Sequence, residues 1–192
     1  FLRFYKLDWG EGINPHPDEY HIVASVNQIS FPNQMHPHFF SYGTVSIYLI
    51  YFTKEFLLMV NDQWSMINIF LLGRFYSAVF STITIVLIYK IGTFFLKKYW
   101  SNLLALLVAI TPGLIQQAHF ATPESTLICF LLTSLLFILY FRQHKKIRFL
   151  ILASVFFGLA LGVKISAIVF LLPILAAIIL QSLTNPLRLL ML

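Results

Sequence analysis

The chain has 192 residues, of which 59% are hydrophobic, 17% aromatic and only 10% charged, and its mean hydropathy is +0.82. Such a composition excludes an ordinary soluble domain. With the bilayer as solvent, closed helices become the default and about 20 apolar residues make a span. The net charge of +6 arises from 13 Lys and Arg against 7 Asp and Glu. On a soluble domain that balance would suggest nucleic acid as a partner. Here most basic residues sit in short clusters between apolar runs, which reads as a topology signal and not as a nucleic-acid face. The single cysteine, Cys129, lies inside an apolar run, so the chain carries no disulfide framework of its own.

The chain starts Phe1-Leu2-Arg3 without an initiator methionine and stops in apolar sequence at Leu192. It therefore reads as a fragment truncated at both ends, with a first span expected before Phe1. Residues 1 to 38 form its one markedly polar stretch, and polar loops of that length are usually functional. Within it, Pro17-Asp18-Glu19 predicts a helix to about Ile29, because proline suits the first helical position and acids suit the positive end of the helix dipole. Phe39 to Val60 is apolar but carries Ser41, Thr44, Lys54 and Glu55. It reads either as a span or as an amphipathic helix in the interface, the second being favoured. Residues 1–66 would then be an outer loop with juxtamembrane helices, followed by a transmembrane part, 67–192.

Spans are expected at about 71–96, 102–117, 123–141, 149–163 and 165–181. The loops carrying Lys97-Lys98 and Arg142 to Arg148 are two spans apart and hence on one side, cytoplasmic by the positive-inside rule. The loop His119 to Glu124 then lies outside, together with Asn61 to Trp64. The apolar stretch from Phe149 to Leu180 is too long for one untilted span and is divided at Lys164, returning inward toward Arg188.

Two elements share a pattern: in His16-Pro17-Asp18-Glu19 and Ala121-Thr122-Pro123-Glu124 a carboxylate follows a helix-opening proline. The plain explanation is Thr122 as an N-cap and acids that complement helix dipoles. Carboxylates at membrane depth are expensive, however, and usually mark function. His16, His21, His36, His38 and His119 crowd the same loops, and with Asp18, Glu19 and Glu124 they offer ligands of the kind a divalent ion takes, although no HExxH or paired-cysteine spacing is present. Tyr20, Tyr42, Tyr48, Tyr51 and Trp64 read as an interfacial aromatic belt. Arg74 and Lys164 fall near the outer face against the positive-inside trend. They either snorkel to headgroups or hold a lipid phosphate. There is no Gly-rich phosphate loop and no assigned Ser/His/Asp arrangement.

Asn14-Pro15-His16-Pro17-Asp18-Glu19-Tyr20, followed by His36-Pro37-His38-Phe39-Phe40-Ser41-Tyr42-Gly43 and Ile47-Tyr48-Leu49, resembles the first outer loop of lipid-carrier-dependent glycosyltransferases of the GT-C fold. These are enzymes of the protein O-mannosyltransferase and aminoarabinose-transferase kind. Gly73-Arg74-Phe75-Tyr76-Ser77-Ala78 resembles the start of that family's second span, Ala118 to Glu124 its second acidic loop, and Gly162-Val163-Lys164-Ile165-Ser166 a recurring Gly-x-Thr-Lys-small segment. Two positions depart from the pattern, Glu124 where aspartate is frequent and Val163 where threonine is common.

The resemblance implies an all-α, polytopic integral membrane enzyme of a bacterial or archaeal cytoplasmic membrane. It would transfer a sugar from a polyprenyl-phosphate carrier to an acceptor at the outer face, with inversion. Asp18 would be the general base, Glu19 and Glu124 would orient the acceptor, Asp18 or a metal, and Arg74 and Lys164 would contact the lipid phosphate. The residues alone support an outward-facing acidic and cationic site at a membrane interface. That leaves two other classes open, a transporter or flippase with Asp18 and Glu124 as ion or proton sites, and a non-catalytic membrane subunit.

Overall fold

A computed structural model describes residues 1–10, 16–60 and 68–184, with side chains left out at 177, 178 and 180–184. Its elements are α1 (Pro17–Asn27), α2 (Val45–Val60), α3 (Ile69–Gly92), α4 (Lys98–Ile110), α5 (Pro112–Gln117), α6 (Glu124–His144), α7 (Ile147–Val163), a 3-10 helix (Ile165–Phe170) and α8 (Leu171–Thr184). Among the described residues the only extended pairing is an isolated bridge between Ser30 and Gln34. The protein is all-α over this part. Two of the helices, α3 and α6, are long and apolar enough to cross a membrane, while α4, α7 and 165–176 are shorter apolar helices. Asn61 to Trp64, the Asn14-Pro15 pair and Arg188 lie outside the described residues.

Helices α3 and α6 lie side by side and run in the same direction. Ser77 donates to the Thr122 carbonyl at the start of the pair, the Phe80 and Phe130 rings meet partway along, and Phe94 meets Tyr140 at the far end. Helix α7 returns along α6 after a two-residue turn, in which Lys145 closes α6 in the left-handed conformation with φ 55°. Small and hydroxyl side chains let α6 and α7 approach: Ala153 and Ala160 are fully buried, and Ser134 donates to the Ala153 carbonyl at 2.9 Å. Following these directions, Lys97, Lys98 and the basic segment Arg142 to Arg148 fall at one end of the bundle. The start of α1, residues 118–124 and the end of α7 fall at the other.

The expected span 102–117 is divided into α4 and α5 at Thr111, whose ψ of 116° is extended, as a residue before proline prefers. Pro112 also leaves the Val108 carbonyl without its helical donor. Arg3 replaces it: Nη2 and Nη1 donate to the carbonyls of Val108 and Ala109 at 3.0 and 2.8 Å, and Nε donates to Ser81 Oγ at 2.7 Å.

Helix α1 lies on α2. Its Ile22 and Val26, four residues apart on one face, form one core with Ile29 just beyond its end and with Ile47, Ile50 and Tyr51. The polar N-terminal region is thus packed against the helical bundle, with its acidic end aimed at α3 and the segment before α6.

Candidate functional site

The start of α1 is fixed locally: Pro17 occupies the first turn and His16 Nδ1 accepts the Asp18 N–H at 3.3 Å. The two acids that follow point into different surroundings. Glu19 is fully buried. Arg74 of α3 donates to it twice, through Nε at 2.8 Å and Nη2 at 2.9 Å, and the Ala121 N–H donates to Oε1 at 2.7 Å. The Arg74 guanidinium also reaches the carbonyls of Leu7 and Trp9, each at 3.0 Å, and lies over the Trp9 ring. Such close contact depends on Gly73, since a Cβ there would come 2.6 Å from the Ala121 Cβ.

Asp18 faces the other way. The Tyr42 hydroxyl donates to its Oδ2 at 2.6 Å, and the Tyr42 ring lies 5.0 Å from Lys164 Nζ. Lys164 Nζ in turn donates to Glu124 Oε1 at 3.2 Å. Both members of this second ion pair are partly exposed, 32% for the lysine side chain and 28% for the glutamate. Glu124 Oε2 is buried without a hydrogen-bond partner. Asp18, Tyr42, Lys164 and Glu124 thus form one chain of polar contacts. The Tyr42 phenol is pushed well above the usual tyrosine range, first by burial, then by the hydrogen bond and charge of Asp18, and last by the charge of Glu124. At neutral pH it is a donor.

Backbone geometry brings these residues together. The Gly43 N–H donates to the Val163 carbonyl at 2.9 Å, and a Cβ on Gly43 would fall 2.0 Å from the Gly162 carbonyl oxygen. The segment around Tyr42 is therefore held against the end of α7, one residue before Lys164. Lys164 itself leaves the helix in an extended conformation, with φ −156°.

Of the residues singled out in the sequence, Asp18, Glu124 and Lys164 converge, linked by Tyr42. Arg74, read from sequence as a candidate phosphate contact, is set into the protein. Its guanidinium is 3% exposed and faces Glu19 and backbone carbonyls, because a buried carboxylate needs a paired cation. Glu19 likewise has its carboxylate filled by donors of the protein, two from Arg74 and one from Ala121. Thr122 is not the N-cap of α6; Pro123 holds that position, and the Thr122 hydroxyl donates to Gln117 at 3.4 Å.

The histidines are spread over several contacts, and among them only His36 and His38 lie ring to ring, 4.6 Å apart. His16 caps α1, His21 stacks on Phe39, His36 Nδ1 accepts the His38 N–H, His38 meets Gln34, and the His119 ring nitrogens face the carbonyls of Ile115 and Tyr5. Among the described residues no three His, Cys, Asp or Glu side chains converge on a point where a metal ion would sit. Tyr42, read from sequence as part of an aromatic belt, is the residue that sequence reasoning missed. Its available signal was the Ser-Tyr-Gly run directly after the histidine-proline segment.

Beside this cluster an open apolar groove of about 540 Å³ runs between α2, α3, α6 and α7, beginning at Val45 and lined by Leu49, Phe52, Phe80, Phe130 and Leu159 among others. A family model described as dolichyl-phosphate-mannose-protein mannosyltransferase matches residues 68–192, from the start of α3 onward. The chain belongs to this family. Neither the curated proteins nor the solved structures compared with the chain give a match. Membership and the apolar helices make it a membrane glycosyltransferase of the class that uses a polyprenyl-phosphate-linked sugar. The matched range contains Arg74, Glu124 and Lys164.

Proposed function

We propose that the protein transfers a sugar from a polyprenyl-phosphate carrier to an acceptor hydroxyl at the outer face of the membrane, with inversion, and that Asp18 is the general base. The observation that carries the reading is the Asp18 carboxylate, held through Oδ2 by Tyr42 at 2.6 Å and linked by that residue to Lys164 and Glu124. Asp18 takes the proton of the acceptor hydroxyl as the acceptor oxygen attacks the anomeric carbon. The bond from that carbon to the phosphate oxygen breaks, and its electron pair leaves with the carrier phosphate. A base positioned this way contributes a factor of about 100 to 10,000.

Lys164 lies where its ammonium can meet the charge that grows on the departing phosphate, and Glu124 orients Lys164 and the acceptor. The carrier's isoprenoid chain lies in the apolar groove that begins at Val45. A single displacement needs base and leaving group on opposite faces of the sugar, which gives inversion. Among the described residues no three His, Cys, Asp or Glu side chains converge as ligands, and no step is routed through a metal ion.

Support for a transferase over a transporter comes from the placement of Asp18, Glu124 and Lys164 at helix ends on one end of the bundle. A transporter holds its acids near midplane on broken helices. The basic loops occupy the opposite end, which by the positive-inside rule is cytoplasmic. The deciding experiment uses the full-length protein in nanodiscs and measures sugar release from a panel of polyprenyl-phosphate sugars. Turnover that disappears in Asp18→Asn while carrier binding persists assigns Asp18 to the chemistry; equal turnover in both removes it as the base.

A further inference from the structure

We infer that Tyr42 is a positioning residue with two separable tasks, its hydroxyl orienting the Asp18 carboxylate and its ring seating the Lys164 ammonium. This rests on the reading of Asp18 as the base. A tyrosine of an interfacial belt directs its hydroxyl toward headgroups or water. Tyr42 instead donates to a carboxylate at 2.6 Å and presents its ring to Lys164 Nζ at 5.0 Å.

Neither contact is incidental to a loose loop. Gly43, the next residue, is bonded to Val163 and abuts Gly162 with no room for a side chain, so Tyr42 and Lys164 are held in one register. On its other side the ring meets Phe39 edge-on at 5.6 Å. The consequence for Asp18 is geometric. With Oδ2 occupied by the phenol, Oδ1 makes no hydrogen bond among the described residues, and it is the oxygen left to accept a proton. For Lys164, the ring is a second support besides Glu124. The ammonium can turn from Glu124 toward a phosphate and still have the ring against it.

The two tasks separate by substitution in the full-length protein, with turnover and the KM for a polyprenyl-phosphate sugar measured alongside thermal unfolding. Tyr42→Phe keeps the ring and removes the donor. It is expected to lower kcat about 10- to 100-fold, the range for losing a hydrogen bond to a charged group, with donor KM within about twofold. Tyr42→Leu removes the ring as well and is expected to raise donor KM about two- to fivefold, the size of a cation–π contact at an exposed site, and to lower kcat below that of Tyr42→Phe, since Lys164 meets the charge that grows on the departing phosphate. In an Asp18→Asn background, Tyr42→Phe is expected to leave carrier binding unchanged.

A wild-type kcat in Tyr42→Phe, with Asp18→Asn inactive, overturns the orienting role and leaves Asp18 as base. Full turnover in Asp18→Asn sinks the base reading itself and the hydroxyl's role with it. The same KM in Tyr42→Leu and Tyr42→Phe overturns the seating of Lys164. Lower unfolding temperatures with normal constants per folded molecule reduce Tyr42 to a packing residue.

Discussion

Among the described residues two carboxylate-to-cation pairs join different elements, and they differ in almost every respect. Glu19 and Arg74 are 0% and 3% exposed, and the carboxylate accepts from three N–H groups. Glu124 and Lys164 are 28% and 32% exposed, share one contact at 3.2 Å, and leave Glu124 Oε2 without a partner. A buried pair survives only when its hydrogen bonds are nearly complete, because desolvation costs several kcal/mol per ion. A half-exposed pair is worth about 1 kcal/mol or less, and it can be exchanged for a ligand at little loss. The closed pair joins α1, α3 and residue 121 into a frame, and the open pair is the one that leaves a carboxylate oxygen without a partner.

The largest effect expected from this contrast follows removal of one partner of the closed pair. Arg74→Met leaves the Glu19 charge buried and unpaired, at a cost of about 3–5 kcal/mol, and thermal unfolding in detergent is expected to show little folded protein. Glu19→Leu combined with Arg74→Met is expected to recover only part of the loss, since the Ala121 N–H then has no acceptor.

Next in size is Gly43→Ala, whose Cβ would lie 2.0 Å from the Gly162 carbonyl oxygen. Forcing the two backbones apart is expected to destabilise by about 1–3 kcal/mol and to lower turnover beyond the loss of folded protein, because it separates Tyr42 from Lys164. The smallest structural effect is expected at the open pair. Lys164→Gln is predicted to change stability by no more than about 1 kcal/mol while weakening the binding of a polyprenyl phosphate several-fold. An unfolding temperature as depressed as that of Arg74→Met would erase the distinction between the two pairs.

Helical character, the acidic helix start at Pro17 and the division near Lys164 were legible in the sequence because each rests on local signals: apolar runs, prolines and a charge inside an apolar stretch. Asp18, Glu124 and Lys164, singled out because ionisable groups stand out against apolar sequence, lie close together in the fold. Pairing was not legible. Arg74 and Glu19 are 55 residues apart, and nothing in their spacing distinguishes a cation that holds a buried carboxylate from one that awaits a phosphate. The histidines stood out by number as candidate ligands, but which carbonyl, amide or ring each one meets is set only once the loops pack. Gly43 and Gly162 were present in the motifs that carried the family resemblance. Their physical reason, two backbones in contact, exists only between segments more than a hundred positions apart.

Arg3 carries a consequence for the order in which the chain is made. It precedes the carbonyls of Val108 and Ala109 by 105 and 106 residues, and synthesis proceeds from the N-terminus. The break at Pro112 exposes those carbonyls, and an unsatisfied backbone group in hydrocarbon costs several kcal/mol. The donor that repairs the break is therefore already made when α4 emerges, and the gap at Pro112 is closed by the chain's own past.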